Sequence, residues 1–290
     1  MKRESIRPMV RGLYQTQKLR IQTGNRIVAC FKSKLGQEPG VAEKDSISKE
    51  GMELLDRLRA EYKLLADGTK KLYKLKNFDG CELISELAEV SMIGYYDKMC
   101  MAEDESTNML KKIIKSEDLW KNWLENVKGI GPMMAGVLFS EIDIYKATYS
   151  SSLWKLAGVD VAQDGAGRSR REEHLIDVAY INKKGEDAIR KSITFNPFLK
   201  TKLLGVLAPS FLKCKGKYSE IYYEYKNRLI NHPKHKSKEK IHIHNMSMRY
   251  MIKRFLVDLY VNWRTIEGLP VAPEYSEAKL GLVHKSAEGK

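Results

Sequence analysis

Four residues in the middle of the chain, Gly129-Ile130-Gly131-Pro132, have the types and spacing to hold a phosphate group. Glycine admits left-handed backbone and leaves no side chain in the way of an approaching ligand. Pro132 suits the first position of a helix, where its missing amide costs no hydrogen bond. The unpaired amides of Met133, Met134 and Ala135, at the positive end of the helix dipole, would then face the phosphate. Ile130 would plug the space between two helices, and Lys128 would add a charge. Such a contact reads no base sequence, because phosphates carry none. A lone Gly-x-Gly is usually an ordinary turn. Here the amphipathic set Leu119, Trp120, Trp123, Leu124 and Val127 precedes it and the small apolar run Ala135-Gly136-Val137-Leu138 follows, which is the pattern of a helix-hairpin-helix.

Other groupings carry weaker chemistry. His232, His235, His242 and His244 fall within thirteen positions, a spacing that could ligate a metal, but on a lysine-rich loop they read first as solvated or phosphate-contacting, and no metal site is assigned. Glu141, Asp143, Glu172, Glu173 and Asp177 could hold Mg2+ for nuclease chemistry, or serve as helix caps and arginine partners. No cofactor is evident, Mg2+ being expected only if the chain is active. Tyr218, Tyr222 and Tyr225 share a helix face suited to a core, and Tyr223, off that face, is the candidate for stacking on an unpaired base.

The elements that must position these residues read as helices throughout, an all-α class. A basic helical arm is expected over residues 1–40, either kinked or split near Thr23-Gly24-Asn25. Residues 41–116 read as an acidic antiparallel helical hairpin, joined around Asp67-Gly68 and Asp79-Gly80, with a role in shape or homo-oligomer formation. The helix-hairpin-helix domain spans 117–267. It includes a short helix over 152–156 stopped by Gly158, a polar irregular stretch over 160–178, a helix over 185–204, a tyrosine-rich helix over 218–230 and a long one over 244–266. In the last, Met248, Met251, Ile252, Phe255, Leu256, Leu259, Tyr260 and Trp263 form the core stripe, with Arg249, Lys253 and Arg254 facing away. Residues 268–290 read as an extended tail, partly mobile.

Charge points to the partner. The chain of 290 residues has a net charge of +14. Nine basic and two acidic residues fall in 1–40, thirteen and seventeen in 45–127, and fifteen and five in 183–240. Basic blocks on either side of an acidic segment imply surfaces facing a polyanion, with DNA the expected partner and structured RNA the alternative. Four scattered cysteines (Cys30, Cys81, Cys100, Cys214) suggest neither a disulfide framework nor a zinc site, so a reducing, cytoplasmic setting is expected. The first residues lack an apolar h-region, and no run of eighteen apolar residues occurs, so neither secretion nor a membrane span is expected.

The order of motifs from Val127 onward resembles the C-terminal domain of the insertion-sequence transposases of the IS-one-ten group, RNA-guided enzymes of the DEDD type. The similar segments are residues 127–142, Ser151-Ser-Leu-Trp-Lys-Leu-Ala-Gly158, Gly165-Ala-Gly-Arg-Ser-Arg-Arg171, Asn182-Lys-Lys-Gly-Glu-Asp-Ala-Ile-Arg190, and the helix pair after Tyr222, in all about residues 117–265. The resemblance implies a DNA-binding, transposase-like protein of a mobile element or phage. In it Arg168, Arg170, Arg171, Lys183, Lys184 and Arg190 would join Lys128, Gly129, Ile130, Gly131, Met133 and Met134 on the phosphates. The group's N-terminal RuvC-like nuclease domain has no counterpart in residues 1–116. Its nucleophilic serine is replaced by Asp164-Gly165-Ala166, which leaves Ser169 as the nearest hydroxyl. Flanking arginines could stabilise the Ser169 alkoxide for strand transfer, though contact with backbone phosphate is the preferred role. An RNA-binding or helical scaffold protein, in which the hairpin only packs, is the remaining alternative.

Overall fold

The computed structural model describes residues 3–41, 45–69, 83–235 and 237–273. Helices dominate, as expected for the all-α class, and among the described residues the strands form a single two-stranded ribbon. Two units result, Pro8–Leu110 and Met1–Arg7 with Lys111–Lys290.

In the Pro8–Leu110 unit, α1 (Arg3–Lys34), α2 (Lys49–Ala66) and α3 (Leu87–Ser116) meet in one core. Ile27, Val28 and Phe31 of α1 are buried with Leu54, Leu55 and Leu58 of α2 and Ile93 and Tyr96 of α3. Each such side chain contributes about 1.5–3 kcal/mol. The basic arm therefore does not stand apart from the acidic segment. It supplies a third wall, antiparallel to α3, with Arg20 paired to Glu103 and Lys34 to Glu89. Nor does α1 break at Gly24. A Cβ there would lie 2.6 Å from Ile47, 3.1 Å from Tyr96 and 3.3 Å from Leu55, so this glycine serves close packing rather than a turn. On α2, Arg59 donates to Asp97 of α3, while Glu61 accepts from the amides of Leu83 and Ile84. Asp67 and Gly68 end α2 as expected. The joint expected at Asp79-Gly80 lies outside the described residues, as does the tail beyond residue 273.

The second unit is built on α10 (Lys240–Ile266). All eight residues of its expected stripe are buried. Phe255 stacks on Trp123 and meets Phe211 and Tyr218 edge-on, and Trp263 does the same with Phe139. Around it lie α4 (Asp118–Asn122), α5 (Pro132–Glu141), α6 (Ser150–Ala157), α7 (Pro197–Lys202) running through one π-turn into α8 (Ala208–Cys214), and α9 (Lys217–Asn231). Gly158 stops α6 in the left-handed region (φ +60°).

The helix expected over 185–204 is not formed as one piece. Strands β1 (Ile176–Ile181) and β2 (Asp187–Ser192) pair antiparallel, Ile176 opposite Ser192 and Ile181 opposite Asp187, and α7 begins only at Pro197. The turn between the strands explains the difference. The Asn182 side chain accepts from the amides of Lys184 and Glu186, and Gly185 takes φ +83°. The ribbon is largely exposed on both faces. Among the described residues, no helix is long and apolar enough to cross a membrane.

Candidate nucleic-acid interface

The hairpin turn follows a 3-10 turn at Leu124–Asn126, whose tightening is continued by the Ile130 amide bonding Val127 O. Gly129 has φ +99°, its carbonyl accepts from Ser210 Oγ at 2.8 Å, and a Cβ on it would stand 2.9 Å from Phe211. Ile130 is buried at 8% exposure, the plug expected. Gly131 is different. It is exposed, sits at the N-cap of α5 with φ −105° and ψ 169°, and a Cβ there would meet nothing within 4 Å. One glycine is required by the fold, and the other is not.

Of the three amides expected to be free, that of Ala135 donates to Gly131 O at 3.0 Å. That closes the first helical bond and leaves only Met133 and Met134 as first-turn donors lacking an intrahelical acceptor. The Met134 side chain is buried in the core, and that of Met133 is half-buried. Lys128 is exposed, with its stem alongside Gly216 at the start of α9.

The glycine-arginine loop is positioned separately, between α6 and β1. Val161 bridges to Gly167, and Asp160 grips the Arg168 guanidinium through both carboxylate oxygens at 2.8–3.1 Å. Arg168 is thereby a strut of the loop rather than a free phosphate ligand, and its carbonyl accepts from Lys200 Nζ at 2.6 Å. Arg170 is exposed, whereas Arg171 reaches Asp164 at 3.2 Å and Ser169 Oγ at 3.3 Å. Lys183 and Lys184 occupy the exposed turn of the ribbon, and Arg190 lies over the Tyr180 ring at 5.2 Å.

Ser169 has more structure about it than its sequence context suggests. Its Oγ lies 3.0 Å from Nδ1 of His174, and Nε2 of the same ring lies 3.1 Å from Asp164. The Ala166 amide, then His174, hold the Asp164 carboxyl below its ordinary range. The connectivity Asp–His–Ser is that of an activated hydroxyl. Nδ1 has one lone pair, however, and the Ser169 amide also donates to it at 3.0 Å.

Three of the five acidic residues weighed as a magnesium site have partners in the fold. Glu141 lies with Arg7 and Asn196, Asp143 with Arg3 and Lys146, and Glu172 with Lys191. Nδ1 of His244 is taken by the Tyr222 hydroxyl. Among the described residues, no three His, Cys, Asp or Glu side chains group as a metal site. Tyr218 and Tyr222 are buried and Tyr223 is 57% exposed, as their periodicity predicts, while Tyr225 stacks on Tyr250 at 4.0 Å.

Two residues of α10 escape the sequence reading. Arg249 and Lys253, expected to face solvent, are half-buried along a cleft of 480 Å³ beside the glycine-arginine loop. Gly167 makes room for the Arg249 guanidinium, which fills the position a Cβ would take. Burial, then the neighbouring Arg249, pulls the Lys200 ammonium down to about 8. Periodicity marks the face opposite a core but not the loop that will cover it.

No protein-family model, curated protein or solved structure matches the chain.

Proposed function

We propose that this chain binds DNA by its phosphate backbone, with residues 128–134 as the grip, as a transposase-like component of a mobile element or phage. The observation that carries the reading is Gly131. Its backbone lies in a region open to any residue and its Cβ position is empty, so beyond a modest N-cap preference nothing in the free protein calls for glycine there. A group approaching from outside does. Two first-turn amides follow that gap in the chain and the exposed Lys128 precedes it by three residues, which suits an oxyanion held at a helix start. The basic ends of the chain favour a polyanion over a small ligand.

A salt series with random duplex DNA tests this. Affinity is expected to fall steeply and log-linearly with salt, and Gly131→Val to weaken binding without loss of fold. Absence of binding at low salt rejects the proposal. Unchanged affinity in Gly131→Val would make the hairpin a packing device only.

A second reading, DNA strand transfer with Ser169 as nucleophile, is favoured by the Ser169–His174–Asp164 hydrogen-bond chain. Strand-transfer assays of the wild type and Ser169→Ala decide it. Equal activity in both, or none in either, removes Ser169 from that role.

A further inference from the structure

We propose that the cleft between the loop at residues 159–167 and α10 binds the phosphates of a single nucleic-acid strand, with Arg249 and Lys253 as its principal ligands. This rests on the nucleic-acid reading above and places a second contact far along the sequence from the hairpin turn.

The cleft carries unbalanced charge. Its lining includes four cations, Arg249, Lys253, Lys234 and Lys238, against two carboxylates, Asp160 and Asp164. Both acids are already committed, Asp160 to Arg168 and Asp164 to Arg171 and His174. No carboxylate pairs with Arg249 or Lys253 among the described residues. Among the described residues, the Lys253 ammonium lies over the Trp154 ring at 5.1 Å, Asp160 attracts both cations without pairing with either, and Arg249 Nη1 is buried with no hydrogen-bond partner.

A guanidinium donor shut away from water without an acceptor is costly. Burial depresses the charged forms of both Arg249 and Lys253, and Lys200 behind them is depressed for the same reason. A protein that retains three crowded cations and an empty donor is built for an anion that is brought to it. Phosphate fits best, because its oxygens can accept from Nη1 and Nζ together.

The length of the helical wall of the cleft favours a strand over a free anion. His242, Met246, Arg249 and Lys253 line one stripe of α10, eleven residue steps or about 16 Å at 1.5 Å per residue. A stripe of that length outreaches one phosphate, so a strand can be contacted at more than one. Tyr225 and Tyr250, stacked on each other at 4.0 Å, line the same cleft and offer an aromatic edge to an unpaired base.

The experiment uses the full chain with labelled single-stranded and duplex oligonucleotides at low salt, comparing wild type, Arg249→Gln and Lys253→Gln. Melting temperatures confirm that each variant is folded. Single-strand affinity is expected to fall by about tenfold or more in Arg249→Gln and by a smaller factor in Lys253→Gln. Equal single-strand affinity in wild type and both variants overturns the cleft assignment while leaving the hairpin reading intact. A wild type that binds no nucleic acid overturns both. Inorganic phosphate is the third probe. If it stabilises the wild type but not Arg249→Gln while oligonucleotide affinity is the same in both, the cleft takes a free anion and the strand assignment is overturned.

Discussion

Gly129 packs its backbone against Phe211 so closely that a Cβ would lie 2.9 Å from Cδ1 of that ring, while two residues on Gly131 faces open space. The adjacent glycines therefore answer to different constraints. Gly129→Ala forces φ +99° on a residue with a Cβ and drives that carbon into the ring, and is expected to cost about 1–3 kcal/mol for the backbone alone. Gly131→Ala is expected to change stability by no more than about 1 kcal/mol, since only a modest N-cap preference is lost. Chemical denaturation of the two variants checks the pair. Comparable losses would mean that Gly131 is also structural.

Asp160 and Arg168 close the glycine-arginine loop. Their side chains are only 12% and 22% exposed, and the pair is held by both carboxylate oxygens. Asp160→Asn leaves the guanidinium half-buried beside other cations and is expected to destabilise by about 1.5–3 kcal/mol. The double variant with Arg168→Met recovers part of that loss, because no unpaired charge remains. Additive losses in the double-mutant cycle would show the two residues to be uncoupled.

Lys200 gives the second unit a pH signature. Its ammonium is pulled to about 8 by burial and by the surrounding arginines, against an ordinary lysine value of 10.5. Between those values the unfolded chain holds the proton and the folded chain does not, so stability rises as pH increases from 8 toward 10.5. Below pH 8 both states are charged and the penalty is constant. The melting temperature of the wild type should accordingly rise relative to that of Lys200→Met across that interval. A difference that stays flat from pH 7 to 10 would place the Lys200 proton at its ordinary value.

The sequence made parts of this legible for physical reasons. Helices α6, α9 and α10 bury one continuous stripe each, and a 3.6-residue repeat reports that directly. The ribbon escaped because neither of its faces is buried, so Ile176-Asp-Val-Ala-Tyr-Ile181 lacks the alternation that marks a strand, and only the Asn182-x-x-Gly185 turn signals it. Gly24 misled for the opposite reason, since a glycine that admits Tyr96 and Leu55 looks in sequence like one that ends a helix. The cleft was illegible because it depends on Gly167 meeting Arg249, residues 82 positions apart.

His174 is the residue on which the loop around Ser169 turns. Its side chain is 2% exposed, its Nε2 reaches Asp164, and its Nδ1 faces both the amide and the hydroxyl of Ser169 at 3.0 Å. With one lone pair for two donors, either bond is made at the expense of the other. While the amide holds it, the Ser169 hydroxyl is left to accept from Arg171, whose amide and Nε both lie 3.3 Å away. Ser169→Ala then keeps the amide bond and is expected to cost less than about 1 kcal/mol. His174→Ala removes the acceptor of a half-buried amide and empties a buried site, and is expected to cost about 2–4 kcal/mol. Denaturation curves separate the cases. A loss in Ser169→Ala as large as that in His174→Ala would mean that the hydroxyl, not the amide, owns the Nδ1 lone pair, the arrangement that an activated nucleophile requires.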